Sequence, residues 1–220
     1  MSVAVALAVR LFVAQAFVIP TASMEPLLEP GDRVLVSRID YAGGPVRRGD
    51  VVVFDGRGLF APSEPASSSP LASAVREVDA WFGIGVDEGD FVKRVVGLPG
   101  ERVACCDSRG LITVDGEPLD EPYLFDGDDP SETSFDVEVP AGRLWMMGDH
   151  RSDSADSRAH LGDPGGGMVP TERVVGRVVA VAWPPGRATG VDRAGADTGS
   201  SESSGPSGPG RQEGVDAWAW

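Results

Sequence analysis

Two residues that are far apart in the sequence could together cut a peptide bond. Ser23 lies in the stretch IPTASMEPLLEPGD, residues 19–32, and the 19 lysine and arginine residues of the chain include a single lysine, Lys93. A serine hydroxyl attacks a carbonyl carbon efficiently only when a base takes its proton, and a neutral lysine amine can serve as that base. Arginine cannot, because its guanidinium stays charged in proteins. This pair of residue types therefore predicts a Ser-Lys dyad.

The dyad requires that Lys93 lose its proton near neutral pH. A lysine with an ordinary pKa of about 10.4 is neutral in only about 1 molecule in 2,500 at pH 7. Burial lowers a lysine pKa, since it disfavours the ammonium form. In a strand, Phe91 and Val95 would share the face of Lys93, whereas Arg94 would point to the other face. We therefore expect apolar neighbours that make Lys93 a usable base.

A Ser-His-Asp triad is the alternative arrangement for a serine nucleophile. The only histidines are His150 and His160, and both lie in polar stretches typical of turns. Nothing in the sequence places either histidine near Ser23. The stretch SMEP is not a Ser-x-x-Lys helix motif, because Pro26 occupies the lysine position. The base of a dyad must therefore come from a distant strand.

The composition favours strands and turns and argues against nucleic-acid binding. The chain contains 29 glycines and 18 prolines, and its net charge of −15 does not suit contacts to phosphates. Apolar, β-branched runs predict a mainly β fold, with strands in residues 32–40, 49–55, 90–106, 143–149 and 174–183 and a hairpin around Asp115-Gly116. The adjacent Cys105 and Cys106 match no zinc or redox spacing, so a vicinal disulfide and two buried thiols both remain open.

Composition also divides the chain into segments. Residues 3–19 are apolar apart from Arg10 and Gln15, and we interpret residues 1–19 as a transmembrane anchor. A cleavable secretory signal is the rival interpretation, but no basic segment precedes the apolar run. The remaining boundaries follow from loop and low-complexity signals: a catalytic β domain in 20–186, an inserted loop in 56–89 with a short helix in 73–86, and a disordered tail in 187–220.

One acidic stretch invites a metal-binding interpretation. Asp126, Asp128 and Asp129 lie in DGDDPSE, within residues 110–142. This stretch lacks the glycine that an EF-hand loop requires at its sixth position. We interpret it as a solvated acidic loop and expect no metal.

Four stretches, in this order along the chain, carry a family resemblance. They are IPTASMEPLLEPGDRVLV, RRGDVVVF, FVKRVVGLPGE and MGDHRSDSADSR. Over roughly residues 3–185 the chain resembles the bacterial type I signal peptidases, membrane-bound Ser-Lys proteases that release exported proteins from their signal peptides. The resemblance implies antiparallel sheets with a partly closed barrel and one N-terminal membrane helix. It also implies signal-peptide-bearing preproteins and the lipid bilayer as partners, no cofactor, and a catalytic domain on the extracytoplasmic side of the cell membrane.

The resemblance assigns roles to individual residues. Ser23 matches the nucleophile and Lys93 the general base, while the Thr21 hydroxyl and the Ser23 backbone N–H match the oxyanion hole. Ser154 matches a serine that orients the lysine, and Asp156 and Arg158 match a supporting ion pair. Five apolar residues match the pockets for the −1 and −3 residues of the signal peptide: Ile19, Pro20, Met24, Leu28 and Val92.

Three positions depart from the family pattern without removing a catalytic group. His150 stands where the family usually has Asn, Ala22 replaces a common Gly, and Leu27 replaces a common Thr. Two other functions remain to be distinguished: another Ser-Lys peptidase, such as a self-cleaving one, and a membrane-tethered β module that binds a partner without catalysis. The second predicts that Ser23 and Lys93 are dispensable.

Overall fold

The computed structural model describes residues 14–41, 44–61 and 89–193, which form two antiparallel sheets. The strands are β1 (Ala14–Val18), β2 (Arg33–Ser37), β3 (Val51–Asp55), β4 (Asp90–Gly97), β5 (Arg102–Cys105), β6 (Thr113–Val114), β7 (Glu117–Pro118), β8 (Phe135–Glu138), β9 (Arg143–Met147), β10 (Val169–Pro170), β11 (Val174–Trp183) and β12 (Thr189–Gly190). Short 3₁₀ turns lie at Ile39–Tyr41, Arg151–Asp153, Thr171–Arg173 and Pro185–Arg187.

The larger sheet has the order β1-β2-β11-β3-β4-β9-β10, and β12 pairs with β11. The sequence VVVFD of β3 is suited to its central place in the sheet, because the four apolar residues Val51–Phe54 are all buried. The smaller sheet has the order β7-β6-β5-β8. The antiparallel, mainly β fold is therefore as predicted, but within the described ranges neither sheet closes into a barrel.

The predicted hairpin around Asp115-Gly116 is confirmed. These two residues connect β6 to β7 and have φ angles of +52° and +86°. A two-residue turn with both φ angles positive matches the twist of the flanking strands, and Asp-Gly is a favoured pair for it. The predicted strands in the other apolar runs are present as β2, β3, β4, β5, β9 and β11.

The predicted helix over residues 3–19 is wrong at its C-terminal end. Residues 14–18 form β1, which pairs with β2 from Ala14 opposite Ser37 to Val18 opposite Arg33. The alternating residues Phe17 and Ile19 are buried in the core, a period of two that an apolar run can conceal. Residues 3–13 lie outside the described residues. In the described ranges no helix has the length and apolar character needed to span a bilayer.

The predicted start of a disordered tail at residue 187 is also wrong. Arg187 contacts Asp32 and Glu29 through its guanidinium, and β12 continues the sheet beside β11. Val191 is buried in the core cluster that contains Phe17. Long-range ion pairs therefore order a segment whose composition looked like a linker; residues 194–220 and the predicted helix in 73–86 lie outside the described residues.

The structure describes both the cysteine pair and the acidic loop. Cys105 and Cys106 are joined in a disulfide, and Cys106 is exposed, so two buried thiols was the wrong alternative. In the acidic loop, the Asp128 carboxylate accepts hydrogen bonds from the Ser152 hydroxyl and backbone N–H. This aspartate is therefore engaged in holding the chain near residue 152.

Candidate active site

The loop that carries Ser23 is held by burial of its apolar residues. Met24 and Leu28 are buried in the core cluster around Phe17, and the Leu28 N–H donates to the Met24 carbonyl. On the opposite side, the Ser23 carbonyl accepts a hydrogen bond of 3.2 Å from the His150 N–H. The Ser23 side chain is only 7% exposed, so its hydroxyl has a fixed position.

Strand β4 brings the lysine to this hydroxyl. Lys93 lies opposite Val52 in the register of β3 and β4, and its Nζ donates a 2.6 Å hydrogen bond to Ser23 Oγ. The two residues are separated by 70 positions in the sequence, yet both are buried. Phe91 and Val95, the expected apolar neighbours, belong to one core cluster with Val52.

The surroundings of Lys93 make its amine a plausible base in energetic terms. Burial is the largest effect and lowers the pKa of Lys93 to about 8, while the nearby Asp156 and Asp149 carboxylates oppose this decrease. At pH 7 roughly 1 molecule in 10 then has a neutral amine. This fraction is more than a hundredfold greater than that of an ordinary lysine.

Two of the carboxylates around Lys93 form ion pairs with arginines. Arg158 contacts both oxygens of Asp156, with Nε–Oδ1 and Nη2–Oδ2 distances of 2.9 and 2.8 Å. Burial raises the pKa of Asp156, but Arg158 outweighs it and holds that pKa below its usual value. Arg94 binds Asp149 in the same bidentate manner, at 2.7 and 2.6 Å. There burial dominates and raises the pKa of Asp149.

Ser154 lies close to the dyad but is not hydrogen-bonded to it. A Cβ atom at Gly148 would come within 2.3 Å of Ser154 Oγ and 2.5 Å of the Ser23 carbonyl oxygen, so only glycine permits this approach. Ser154 Oγ is buried and makes no hydrogen bond of good geometry among the described residues, but it lies close enough to the Asp156 carboxylate to help lower the pKa of that group. The role of Ser154 in orienting Lys93 therefore stays a prediction.

Thr21 is placed where a second oxyanion donor would be useful. Its Oγ1 lies 3.3 Å from Ser23 Oγ, and its side chain is exposed to the cleft side of the loop rather than buried in the core. A hydroxyl there can turn toward a negative oxygen that forms beside Ser23. The assignment of Thr21 remains a prediction that kinetics can test.

The two histidines occupy different surroundings. His150 stacks on Phe125 with ring centroids 3.9 Å apart, beside the loop that carries Ser23. Its place in the stretch MGDHRSDSADSR was the one signal in the sequence for this position. His160 stacks on Phe60, and its Nδ1 lies 2.7 Å from Asp163. Neither ring makes a hydrogen bond to Ser23 within the described part of the chain.

A cleft of about 510 Å³ opens beside the dyad. It is lined by Phe17, Val18, Ile19, Pro20, Thr21, Ser23, Met24, Val53, Asp90, Phe91, Val92, Lys93, Asp153 and Ala155. Four of the five predicted substrate-binding residues are in this lining. Leu28 is not in this lining and packs in the core cluster that contains Phe17. Sequence reasoning missed Phe17 and Val53, which lie on strands β1 and β3, and Asp153, which lies in a 3₁₀ turn.

The cleft also exposes a strand edge. β3 pairs with β4 from Asp90 to Arg94, whereas β9 reaches only the part of β4 that begins at Arg94. Among the described residues, no strand pairs with the second edge of residues 91–93. An extended peptide placed there would lie beside Lys93 and could add a strand to the sheet.

Comparison with known proteins gives a consistent result. The family model described as signal peptidase, peptidase S26 matches residues 1–183. A probable signal peptidase I of Mycobacterium leprae is 38% identical over 209 residues, which cover 82% of this chain and 72% of that protein. A signal peptidase I of Mycobacterium tuberculosis is 41% identical over 206 residues, with coverages of 80% and 67%. A crystal structure of a signal peptidase I from Enterococcus faecalis covers 62% of this chain and 98% of its own at 22% identity, with a TM-score of 0.39, a similarity too weak to define the fold.

Proposed function

We propose, from the premise that this chain belongs to the signal peptidase family, peptidase S26, that Ser23 is its nucleophile and Lys93 its general base. The protein is a serine endopeptidase that removes N-terminal signal peptides from preproteins. The observation that carries the residue assignment is the 2.6 Å contact between Lys93 Nζ and Ser23 Oγ in a buried site. The other contacts around the dyad support it.

The proton transfers follow from this contact. When Lys93 is neutral, the Ser23 hydroxyl donates to the Nζ lone pair, and Oγ can attack the carbonyl carbon of the scissile bond as Nζ takes the proton. The resulting ammonium then gives this proton to the leaving amine, and an acyl group remains on Ser23. In the second half-reaction a water molecule takes the place of the leaving amine, and its oxygen bonds to the acyl carbon as Lys93 takes its proton. The ammonium then returns this proton to Ser23 Oγ as the bond between Oγ and the acyl carbon breaks and the carboxylic product leaves.

The negative oxygen of each tetrahedral intermediate needs preorganised donors. We assign the Ser23 backbone N–H and the Thr21 hydroxyl to this role, which is supported by the 3.3 Å separation of the two side-chain oxygens. Such donors act strongly where water is excluded. Because burial already limits water around Ser23, these donors would stabilise the developing negative charge at little reorganisation cost.

Substrate recognition is proposed to combine strand addition with small apolar pockets. The free edge of residues 91–93 would hydrogen-bond an extended signal-peptide segment. Ile19, Pro20, Met24 and Val92 would then surround the −1 and −3 side chains. Alanine fits such pockets, since larger side chains would clash with the walls. Leu28 supports the loop from the core instead of contacting substrate.

We also propose that the enzyme works at the membrane surface, as a single-pass protein with its catalytic domain on the extracytoplasmic side. The apolar residues within 3–13, which precede β1, would form part of that anchor. Leu35 and Trp183 are exposed apolar residues on β2 and β11, two neighbouring strands near β1. A bilayer could cover such side chains, with tryptophan suited to the interface.

Cleavage of a preprotein with Ala at −3 and −1 tests the assignment. Detergent-solubilised wild type should cut at the Ala site, while Ser23→Ala and Lys93→Met should not, because one lacks the nucleophile and the other the amine. His150→Asn is the matched control, since it changes a nearby residue that donates only its backbone N–H to Ser23. It should retain cleavage. Normal turnover by Lys93→Met would contradict the dyad, and loss of cleavage only in His150→Asn would favour a histidine base.

A further inference from the structure

The acidic residues near Lys93 differ in whether arginine neutralises them. Asp149 and Asp156 are buried, and each is paired with an arginine, Arg94 and Arg158 respectively. Asp153 is exposed, and its carboxylate makes no ion pair or hydrogen bond with any side chain in the described ranges. One negative charge near the dyad is therefore left without a protein partner there.

Asp153 is one of the residues that line the substrate cleft. Asp153 ends the 3₁₀ turn Arg151–Asp153, where its N–H donates to the His150 carbonyl, and it lines the cleft together with Ala155 and Lys93. Its charge also interacts with the Lys93 amine, raising that pKa slightly against the larger effect of burial. Asp153 is thus near the atom that gives a proton to the leaving amine.

The chemistry of Asp153 suits a different substrate residue from those that the apolar wall of the cleft would bind. The −1 and −3 side chains are assigned to the wall that contains Ile19, Met24 and Val92. A carboxylate would gain nothing from a buried alanine, whereas the residue attached to the leaving nitrogen must pass close to Lys93 Nζ. That residue is +1, the first residue of the released protein.

We propose that Asp153 is a specificity-determining residue that favours a positively charged +1 side chain in the substrate and disfavours a negatively charged one. The inference rests on the proposed function of Ser23 and Lys93. Because Asp153 is exposed, water and salt weaken its contacts, and single exposed charge pairs alter affinity by a few-fold. The effect should therefore be a graded preference, not an absolute requirement.

Three preproteins that differ only at +1, with Lys, Gln or Glu there, test this proposal. Wild type should cut the Lys substrate roughly 2- to 5-fold more efficiently than the Gln substrate, and the Gln substrate more efficiently than the Glu substrate by a similar factor. The preference should lie mainly in KM, since the charge contact exists before the reaction starts. It should shrink at 0.5 M NaCl (roughly a 4 Å Debye length).

Charge variants identify the residue responsible. Asp153→Asn should bring the three substrates within about 2-fold of each other, and Asp153→Arg should reverse their order. Asp120→Asn is the matched control, because Asp120 is an exposed acid outside the cleft lining. It should keep the wild-type order. With the neutral Gln substrate, Asp153→Asn should also move the pH midpoint of kcat/KM downward, an effect that a local loss of structure would not produce.

The outcomes separate this inference from the function on which it depends. Wild type that cuts all three substrates equally, or Asp153→Asn that keeps the wild-type order, would overturn the role of Asp153 and leave the dyad intact. Wild type that cuts none of them would overturn both. A collapsed order in Asp153→Asn, a reversed order in Asp153→Arg and an unchanged order in Asp120→Asn would together establish it.

Discussion

Adjacent residues of β4 place two buried cations in opposite electrostatic situations. Arg94 is bound at both ends of its guanidinium fork to Asp149, donates to the Gly49 carbonyl, and stacks over Tyr123 with its Cζ 4.0 Å from the ring centre. Lys93 has a hydroxyl, Ser23 Oγ, as its hydrogen-bond partner, and no carboxylate of the described residues forms an ion pair with it. The same strand thus buries one cation with a full set of partners and the next without a counterion.

This difference shows how one strand supports both stability and catalysis. A fully paired guanidinium remains charged and fixes the loop around Asp149, which also accepts the Phe125 N–H through its carbonyl. An amine without a counterion is destabilised as an ammonium, and this is the condition that a general base requires. The Asp156 and Asp149 carboxylates raise the pKa of Lys93 against the larger effect of burial, and the Arg158 guanidinium acts in the same direction as burial.

The largest expected effect is a loss of activity when Lys93 is replaced by arginine, the residue type at position 94. Lys93→Arg should lower kcat by about 10⁴-fold or more, because a guanidinium cannot accept the Ser23 proton at ordinary pH. Single-turnover cleavage of the Ala-site preprotein measures this. Activity that recovers to wild-type levels at high pH in this variant would contradict the requirement for a neutral amine.

A second variant removes Arg94, the cation that is paired with Asp149. Arg94→Met should lower the free energy of unfolding by about 3–5 kcal/mol, because it leaves the Asp149 carboxylate buried without its partner. Urea unfolding at pH 7 measures the loss. An Arg94→Met, Asp149→Leu double variant should recover much of it, and a single variant as stable as wild type would show that the pair is dispensable.

A smaller kinetic effect is expected at the oxyanion side of the dyad. Thr21→Val should lower kcat about 10²- to 10³-fold, since it replaces the hydroxyl by a methyl group of similar shape. Thr21→Ser is the control and should retain most activity. An unchanged kcat in Thr21→Val would leave the Ser23 N–H as the only assigned donor.

The smallest expected effect is an increase in stability on removal of Lys93, whereas removal of Arg94 decreases stability. The pKa of Lys93 is about 8 in the folded protein and 10.5 in an ordinary environment, so the unfolded chain binds more protons between these pH values. Stability therefore rises with pH across this window, and below pH 8 the buried ammonium costs on the order of 3 kcal/mol. Lys93→Met should be more stable than wild type at pH 7, and the gap should close by about pH 10.5. Equal urea midpoints at pH 7 would argue against the burial penalty.

The sequence predicted that Ser23 and Lys93 lie together better than it predicted the strands and segments around them. Ser23 and Lys93 could be identified because their residue types have few alternatives: one lysine serves the chain, and Ser23 lies in a distinctive loop. The strand pattern around β3 and β4 was also local, since Val51–Phe54 form a continuous buried run. Local patterns and scarce residue types are the information that a single sequence carries most directly.

Predictions that depended on distant partners failed or were absent. The apolar run before Ile19 is compatible with a helix and with a buried strand. Pairing with Arg33–Ser37 makes its end a strand, β1. The segment after Pro185 has a linker-like composition, yet Arg187 and Arg193 bind Asp32 and Asp50 across the fold. Leu28 matched a pocket residue by position, but its side chain faces the core.

The most direct measurement is the pKa of Lys93 itself. Because the chain contains a single lysine, ¹⁵N-lysine labelling yields one side-chain amine resonance, which NMR can follow from pH 6 to 11 without assignment. We predict a midpoint near 8 in wild type, matching the midpoint of the rise of kcat/KM with pH. A midpoint near 10.5 would mean that Lys93 is an ordinary ammonium at neutral pH, and it would contradict its role as the general base.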